Sequence, residues 1–272
     1  KSVTLPEPHN EEERWYCNRL VNEALNAVRL NDGSPVHINV PISEPLFEYD
    51  VPKLPDERDI FMLHATTDSI CVYEMAADFF RGKKLMFVLG QLTPEVVGNS
   101  LEAIEALKKV AVVLQEKLAD DSICPAQPID EVLKMIGEDE AYRPDHLIYI
   151  GGTIVSKRLR QFLRACKCKM SIVVNGIDEF CDTFMHATDM IQGLPEDVIR
   201  IFANETEGVK KHDFVTLWDK AFDKALAIRK TIKPRFSQML AVKAFHEKMR
   251  KEAVDGELFY GNSSAVRLGN IF

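Results

Sequence analysis

Two adjacent cations, Lys157 and Arg158, stand where a helix is expected to begin, directly after an apolar run and the turn residues 151–156 (GGTIVS). A helix N-terminus presents free N–H groups and the positive end of the helix dipole, so a cation there is unfavourable unless an anion lies nearby. The pair therefore predicts an anion-binding site at this corner, the point where a strand ends and the next helix begins. A solvated basic face is the alternative. For the later cations of this segment the solvated face is favoured: Arg160, Arg164, Lys167 and Lys169.

A second candidate corner lies near the end of the chain, in residues 260–267 (YGNSSAVR). Ser263 and Ser264 offer hydroxyls at the expected start of a helix, and Arg267 falls within its first turns. Helix capping alone explains at least one of the serines, and Arg267 as a simple surface residue is the alternative. A third corner, residues 90–93 (GQLT), carries no charge and is interpreted as structural.

Other familiar chemical motifs are missing from the sequence. Cys166 and Cys168 are too close together for a two-plus-two zinc site, and no second pair lies near them. Neither a Gly-x-Gly-x-x-Gly fingerprint nor a P-loop occurs, so dinucleotide or P-loop binding lacks its main support. A Gly-x-Ser-x-Gly elbow is absent as well.

The elements that must position these corners alternate along the chain. Short apolar runs predict strands at residues 85–90, 110–114, 146–150, 170–174 and 257–260, and helical segments such as 129–136 and 156–165 separate the first four. Thr93 and Pro94 mark one helix start as its cap and first position. We expect the α/β class, with a doubly wound parallel sheet covered by helices on both faces. Such a sheet binds ligands where its strands end and its helices begin.

Composition excludes several classes of protein. The 272 residues are 46% hydrophobic, with no apolar run long enough to span a membrane, and a net charge of −8 argues against a general nucleic-acid binder. Six scattered cysteines indicate reduced thiols in a cytoplasmic protein rather than a disulfide framework. The chain starts at Lys1 rather than at methionine, which suggests a processed product, a tagged protein or an excised piece.

Residues 34–46 (SPVHINVPISEPL) resemble the end of the pyrimidine-binding domain of thiamine-diphosphate (ThDP) enzymes. Together with residues 156–159 (SKRL) and 258–267 (LFYGNSSAVR), they resemble the MenD family of 2-succinyl-5-enolpyruvyl-6-hydroxy-3-cyclohexene-1-carboxylate synthases in menaquinone biosynthesis. The order and spacing of the three segments agree, so the resemblance covers essentially the whole chain.

The resemblance implies an internal fragment of a three-domain enzyme. It assigns residues 1–48 to the end of the pyrimidine-binding domain and 49–82 to a linker. Residues 83–210 become the central Rossmann-like domain, 211–254 connecting helices, and 255–272 the truncated start of the diphosphate-binding domain. The glutamate that activates the cofactor and the Gly-Asp signature that holds metal and diphosphate have no counterpart in this sequence.

The resemblance also implies a function for the parent enzyme. It is a transferase, a homodimer or homotetramer, that decarboxylates 2-oxoglutarate and adds the succinyl carbanion to isochorismate, using ThDP and Mg²⁺ or Mn²⁺. Lys157, Arg158, Ser263 and Arg267 match the residues of the family that bind substrate carboxylates. Catalytic, cofactor-binding and metal-ligating residues are not assigned in this chain, which by itself is expected to bind no cofactor and to be inactive.

Two other classes of function stay open. A non-catalytic nucleotide-binding module fits the doubly wound pattern, although the glycine fingerprint is missing. An oligomer scaffold, in which the same residues make only subunit contacts, is the third alternative.

Overall fold

The computed structural model describes residues 1–30, 33, 35–44, 52–116, 119, 127–176, 180–252, 261, 264–269 and 271. The strands are β1 Ser2–Thr4, β2 His37–Asn39, β3 Phe61–His64, β4 Leu85–Leu89, β5 Val112–Gln115, β6 His146–Ile150, β7 Met170–Asn175 and β8 Asp189–Gln192. The α-helices are α1 Glu11–Leu30, α2 Ser69–Phe79, α3 Pro94–Lys108, α4 Ile129–Ile136, α5 Lys157–Arg164, α6 Pro195–Asn204, α7 Asp213–Thr231, α8 Gln238–Lys251 and α9 Ser264–Gly269.

Six of these strands form one parallel sheet in the order β3-β8-β7-β6-β4-β5. The chain moves outward from β4 to β5 and then returns to the other side of β4 to form β6, so the strand order reverses between β4 and β6. At such a reversal two neighbouring connections leave in opposite directions, which opens a crevice at the carboxyl ends of the strands. The predicted α/β class and the doubly wound parallel sheet are confirmed.

Helices cover both faces of the sheet, and each face has its own apolar core. The core of one face contains Phe79 of α2, Ile104 of α3 and Phe202 of α6. The core of the other contains Leu159 of α5 and the fully buried Trp218 of α7. The central strands are apolar at nearly every position because both of their faces are buried.

Local signals set the helix starts as expected. The Thr93 hydroxyl accepts a hydrogen bond from the Val96 backbone N–H at 3.4 Å, and Pro94 occupies the first position of α3. This cap satisfies one of the N–H groups that a helix leaves unpaired. The predicted cap and first position of α3 are therefore confirmed.

The sequence pattern missed the two strands β3 and β8 on one side of the sheet. β3 is an edge strand whose Phe61 is half exposed, and β8 has only four residues and begins with the acid Asp189. Neither run has the length or uniform apolarity of a central strand. The interval 49–82, expected to be a linker, therefore contributes an edge strand and α2 to the layered structure. The predicted strand at 257–260 lies outside the described residues.

A buried carboxylate is one of the groups that join the N-terminal helix α1 to the sheet region, beside the hydrogen bonds that Asn22 and Asn26 make with the backbone of Ile60. Asp182 accepts hydrogen bonds from Trp15 Nε1 at 2.7 Å and Arg58 Nη2 at 2.9 Å, and from the backbone N–H groups of His186 and Ala187. Its side chain is 1% exposed. A buried carboxylate needs partners of this kind to offset its lost hydration.

Membrane crossing would need a helix that is both long and strongly apolar, and the helices in the described part of the chain include none that qualifies.

Candidate functional site

The N-terminus of α5 carries the basic pair on a firmly capped turn. The Ser156 hydroxyl accepts a hydrogen bond from the Leu159 backbone N–H at 2.9 Å and donates one to Asp130 Oδ1 at 2.5 Å. Leu159 is fully buried, which anchors the helix against the sheet. Lys157 and Arg158 are both exposed on this turn. The cap therefore positions two cations at the positive end of a helix dipole.

A cavity of about 260 Å³ opens beside this turn and brings distant parts of the chain together. It lies between the end of β5, the starts of α4 and α5, the last turn of α7, and α9. The residues that line it are Gln115, Glu116, Gln127, Ile129, Asp130, Glu131, Lys134, Ser156, Arg158, Arg229, Arg267 and Ile271.

The structure brings together two of the four residues selected from the sequence. Arg158 and Arg267 line the same cavity, whereas Lys157 is not among the lining residues. Ser263 lies outside the described residues. The substrate-binding roles of all four residues stay predictions.

The acids of α4 hold the cavity wall in place. The Arg158 Nη1 group donates to the backbone carbonyl of Asp130 at 3.3 Å. Arg229 Nε donates to Glu131 Oε1 at 2.8 Å, and its Nη2 lies 2.8 Å from the same oxygen in an ion pair. The start of α4 therefore contacts the start of α5 and the end of α7 through polar groups.

The floor of the cavity contains the buried acid Glu116, which follows β5 and is 5% exposed. Its Oε1 accepts a hydrogen bond from the Val155 backbone N–H at 3.3 Å, and its own N–H donates to the Leu89 carbonyl at 2.8 Å. Glu116 thus connects the end of the sheet with the loop that precedes α5.

Cations outnumber acids among the side chains that line the cavity: Lys134, Arg158, Arg229 and Arg267 face Glu116, Asp130 and Glu131. Arg267 makes no hydrogen bond or ion pair with any residue in the described part of the chain. Guanidinium groups bind carboxylates in a bidentate geometry, so this arrangement fits a small ligand with carboxylate groups.

Arg229, Gln115 and Gln127 line the cavity but were not selected from the sequence. Arg229 ends a long helix, where cations are common because they are favourable at the negative end of the dipole. The two glutamines follow no motif. No local signal in the sequence could have identified these three residues.

The described residues contain no group of three or more His, Cys, Asp or Glu side chains that could hold a metal ion. Cys166 and Cys168 donate from Sγ to the carbonyls of Phe162 and Pro144. The hydrogen bond with Cys166, together with burial, raises the pKa of Cys168. That this chain alone binds no cofactor remains a prediction.

A second cavity of about 600 Å³ lies at the carboxyl ends of β4, β6 and β7, where the strand order reverses. The corner of residues 90–93, interpreted as structural, contributes three of its residues, and Tyr149 forms part of its wall. The Tyr149 hydroxyl donates to the Gly152 carbonyl, and burial raises the pKa of Tyr149 to about 12. Among the described residues around it, Arg160 is the one cation.

The known proteins to which this chain is similar in sequence include several synthases of one name. It is 31% identical, over its full length, to the 2-succinyl-5-enolpyruvyl-6-hydroxy-3-cyclohexene-1-carboxylate synthase of Bacteroides thetaiotaomicron, covering 48% of that protein. The synthase of the same name from Porphyromonas gingivalis is 30% identical over 95% of the chain and 46% of the relative. That of Phocaeicola vulgatus is 37% identical over 60% of the chain and 30% of the relative. A search against protein-family models matched none.

The chain therefore spans about half the length of the curated relatives it matches. Its similarity to synthases of this one name extends over the whole sequence, which confirms the resemblance.

Proposed function

We propose that this chain, which is MenD-like over its whole length, forms the isochorismate-binding part of a synthase that makes 2-succinyl-5-enolpyruvyl-6-hydroxy-3-cyclohexene-1-carboxylate. Such a transferase decarboxylates 2-oxoglutarate and joins the succinyl unit to isochorismate. The observation that carries the proposal is that Arg158 and Arg267, matched to the family independently, line one cavity.

The chemistry of the cavity supports this substrate. Isochorismate carries two carboxylates, and the cavity offers Arg158 and Arg267 from different helices. Charge-assisted hydrogen bonds from two guanidinium groups would fix both ends of the ligand and orient its ring. Ser156 and Asp130 contribute indirectly because they hold the turn that carries Arg158.

The cofactor chemistry belongs to other parts of the parent enzyme. We assign ThDP and Mg²⁺ or Mn²⁺ to that enzyme, since the described residues of this chain provide no metal-binding cluster. The chain alone should bind isochorismate and leave it unchanged.

The remaining assignments extend this proposal. The domain limits that the family resemblance gives are 1–48, 49–82, 83–210, 211–254 and 255–272, and β3 and α2 of the second interval join the layered structure of the third. We assign the parent to the cytoplasm, as a homodimer or homotetramer that completes its site between subunits.

The first experiment tests binding by the chain itself. Isothermal titration with isochorismate should show binding by the wild type and at least about tenfold weaker binding by Arg158→Gln, because one charge-assisted contact is lost. Arg160→Gln is the matched control: Arg160 lies two positions further along α5 and lines the second cavity. Equal affinities for the two variants would remove Arg158 from the site.

A second experiment tests turnover. Isochorismate loss would be followed with 2-oxoglutarate, ThDP and Mg²⁺ for this chain and for a MenD-like protein of the full length of its relatives that contains this sequence. Turnover by the longer protein alone is expected. If the longer protein were inactive, the substrate assignment would fail.

The second cavity favours one alternative function, a nucleotide-binding module. Its volume of about 600 Å³ and its place at the strand reversal are typical of nucleotide sites in doubly wound sheets. An absorption spectrum of the purified chain with a bound flavin would support this alternative, and a spectrum of protein alone would count against it.

A further inference from the structure

Arg229 is held in the wall of the candidate site by a single acid. Its Nε donates to Glu131 Oε1 at 2.8 Å, its Nη2 lies 2.8 Å from the same oxygen in an ion pair, and its side chain is 13% exposed. Glu131 is 31% exposed at the start of α4. Within the described chain, the Nη1 group of Arg229 makes no hydrogen bond. One edge of the guanidinium is therefore fixed while further N–H donors stay available.

The side chains that line the cavity include more cations than acids. Arg229 shares a cavity of about 260 Å³ with Arg158 and Arg267, and Glu131 directly pairs with only one of the three. Removing the largely buried Arg229 guanidinium from water is costly, and the exposed cations Arg158 and Arg267 add two positive charges to the same cavity. An anionic ligand would offset the lost hydration of Arg229 and the repulsion between these charges.

The alternative is a purely structural ion pair between α7 and α4. Such a pair would stabilise the packing of the two helices, and its loss would leave affinity for a ligand unchanged. The position of Arg229 in the cavity wall, beside the two matched arginines, favours a role in binding.

We propose that Arg229 is a further substrate-binding residue, which contacts a carboxylate of the ligand, and that Glu131 is its positioning residue. This inference rests on the proposed function, because it takes isochorismate as the ligand of the cavity. Arg229 and Glu131 are not among the four residues that the family resemblance selected.

The test separates binding from packing by a double-mutant cycle in the full chain. Arg229→Gln, Glu131→Gln and the double variant would be titrated with isochorismate, and their urea midpoints measured. The double variant leaves no unpaired charge, so a structural role predicts recovered stability and wild-type affinity. Arg229→Lys, which keeps the charge, is the conservative control.

We expect at least about tenfold weaker binding by both Arg229→Gln and the double variant, from the loss of one charge-assisted contact. Glu131→Gln keeps the guanidinium and should weaken binding less, and Arg229→Lys should retain more affinity than Arg229→Gln. Wild-type affinity in the double variant would overturn this inference alone. Absence of binding by the wild-type chain would instead overturn the proposed function, and this inference with it.

Discussion

Replacing Asp182 with asparagine should cost the fold about 3 kcal/mol, because the buried carboxylate holds two parts of the chain together. Oδ2 accepts from Trp15 Nε1 and Arg58 Nη2, and Oδ1 accepts from two backbone N–H groups. An asparagine can keep one oxygen toward the backbone donors. Its NH₂ group then meets Trp15 and Arg58, which are donors themselves.

The magnitude follows from the two bonds lost at Oδ2. Each hydrogen bond to a charged group contributes about 1.5–3 kcal/mol. The lower end of that range applies here, since Arg58 is 24% exposed and regains contact with water. The sum of about 3 kcal/mol corresponds to a fall of roughly 6–12 °C in the melting temperature of a chain of this size.

Urea unfolding followed by tryptophan fluorescence measures this loss. The chain has two tryptophans, Trp15 at the bond itself and Trp218 in the core, so fluorescence reports on both regions. Asp219→Asn is the matched control, because Asp219 pairs with Lys211 on the surface and should change stability by less than about 1 kcal/mol. If Asp182→Asn were no more destabilising than Asp219→Asn, the carboxylate would not contribute to holding α1 against the sheet region.

Three further predictions concern the site and its surroundings. In an active MenD-like protein that contains this sequence, Arg267→Ala should lower kcat/KM for isochorismate. The expected decrease is equivalent to a loss of about 2–4 kcal/mol of transition-state stabilisation. An unchanged kcat/KM would place Arg267 outside the site. Ser156→Ala should lower the free energy of unfolding by about 1 kcal/mol through loss of the α5 cap, whereas Ser156→Thr keeps the hydroxyl and most of the stability in urea. Burial raises the pKa of Asp189 above its ordinary 3.8, so the contribution of Asp189 to wild-type stability should fall as the pH rises from about 4 through the raised value. Asp189→Asn should flatten this acid-side slope in urea midpoints, and an identical slope would contradict the assigned cause.

The length of the relatives determines which protein each experiment requires. The curated synthases are about twice as long as this chain, so turnover tests need the longer protein, whereas binding and stability tests do not. A result on the chain alone thus reports on the cavity and leaves the cofactor chemistry aside.

The sequence by itself determined the layered α/β fold and the turn that carries Arg158. Strands such as β4 and β6 are apolar on both sides, and Thr93 and Pro94 start α3, so periodicity and capping are sufficient to identify these elements. The sequence pattern did not predict the short strands β3 and β8, because an edge strand and a four-residue run show little apolar periodicity.

Only the tertiary structure decided which side chains meet. In the sequence, Arg229 is an ordinary cation near the end of a helix. Its position beside Arg158 and Arg267 depends on how α7 and α9 pack against α4 and α5. Asp182 gives no sign in the sequence that it will accept a bond from Trp15. Local propensities act over a few residues, whereas such contacts arise from the burial of whole helix faces.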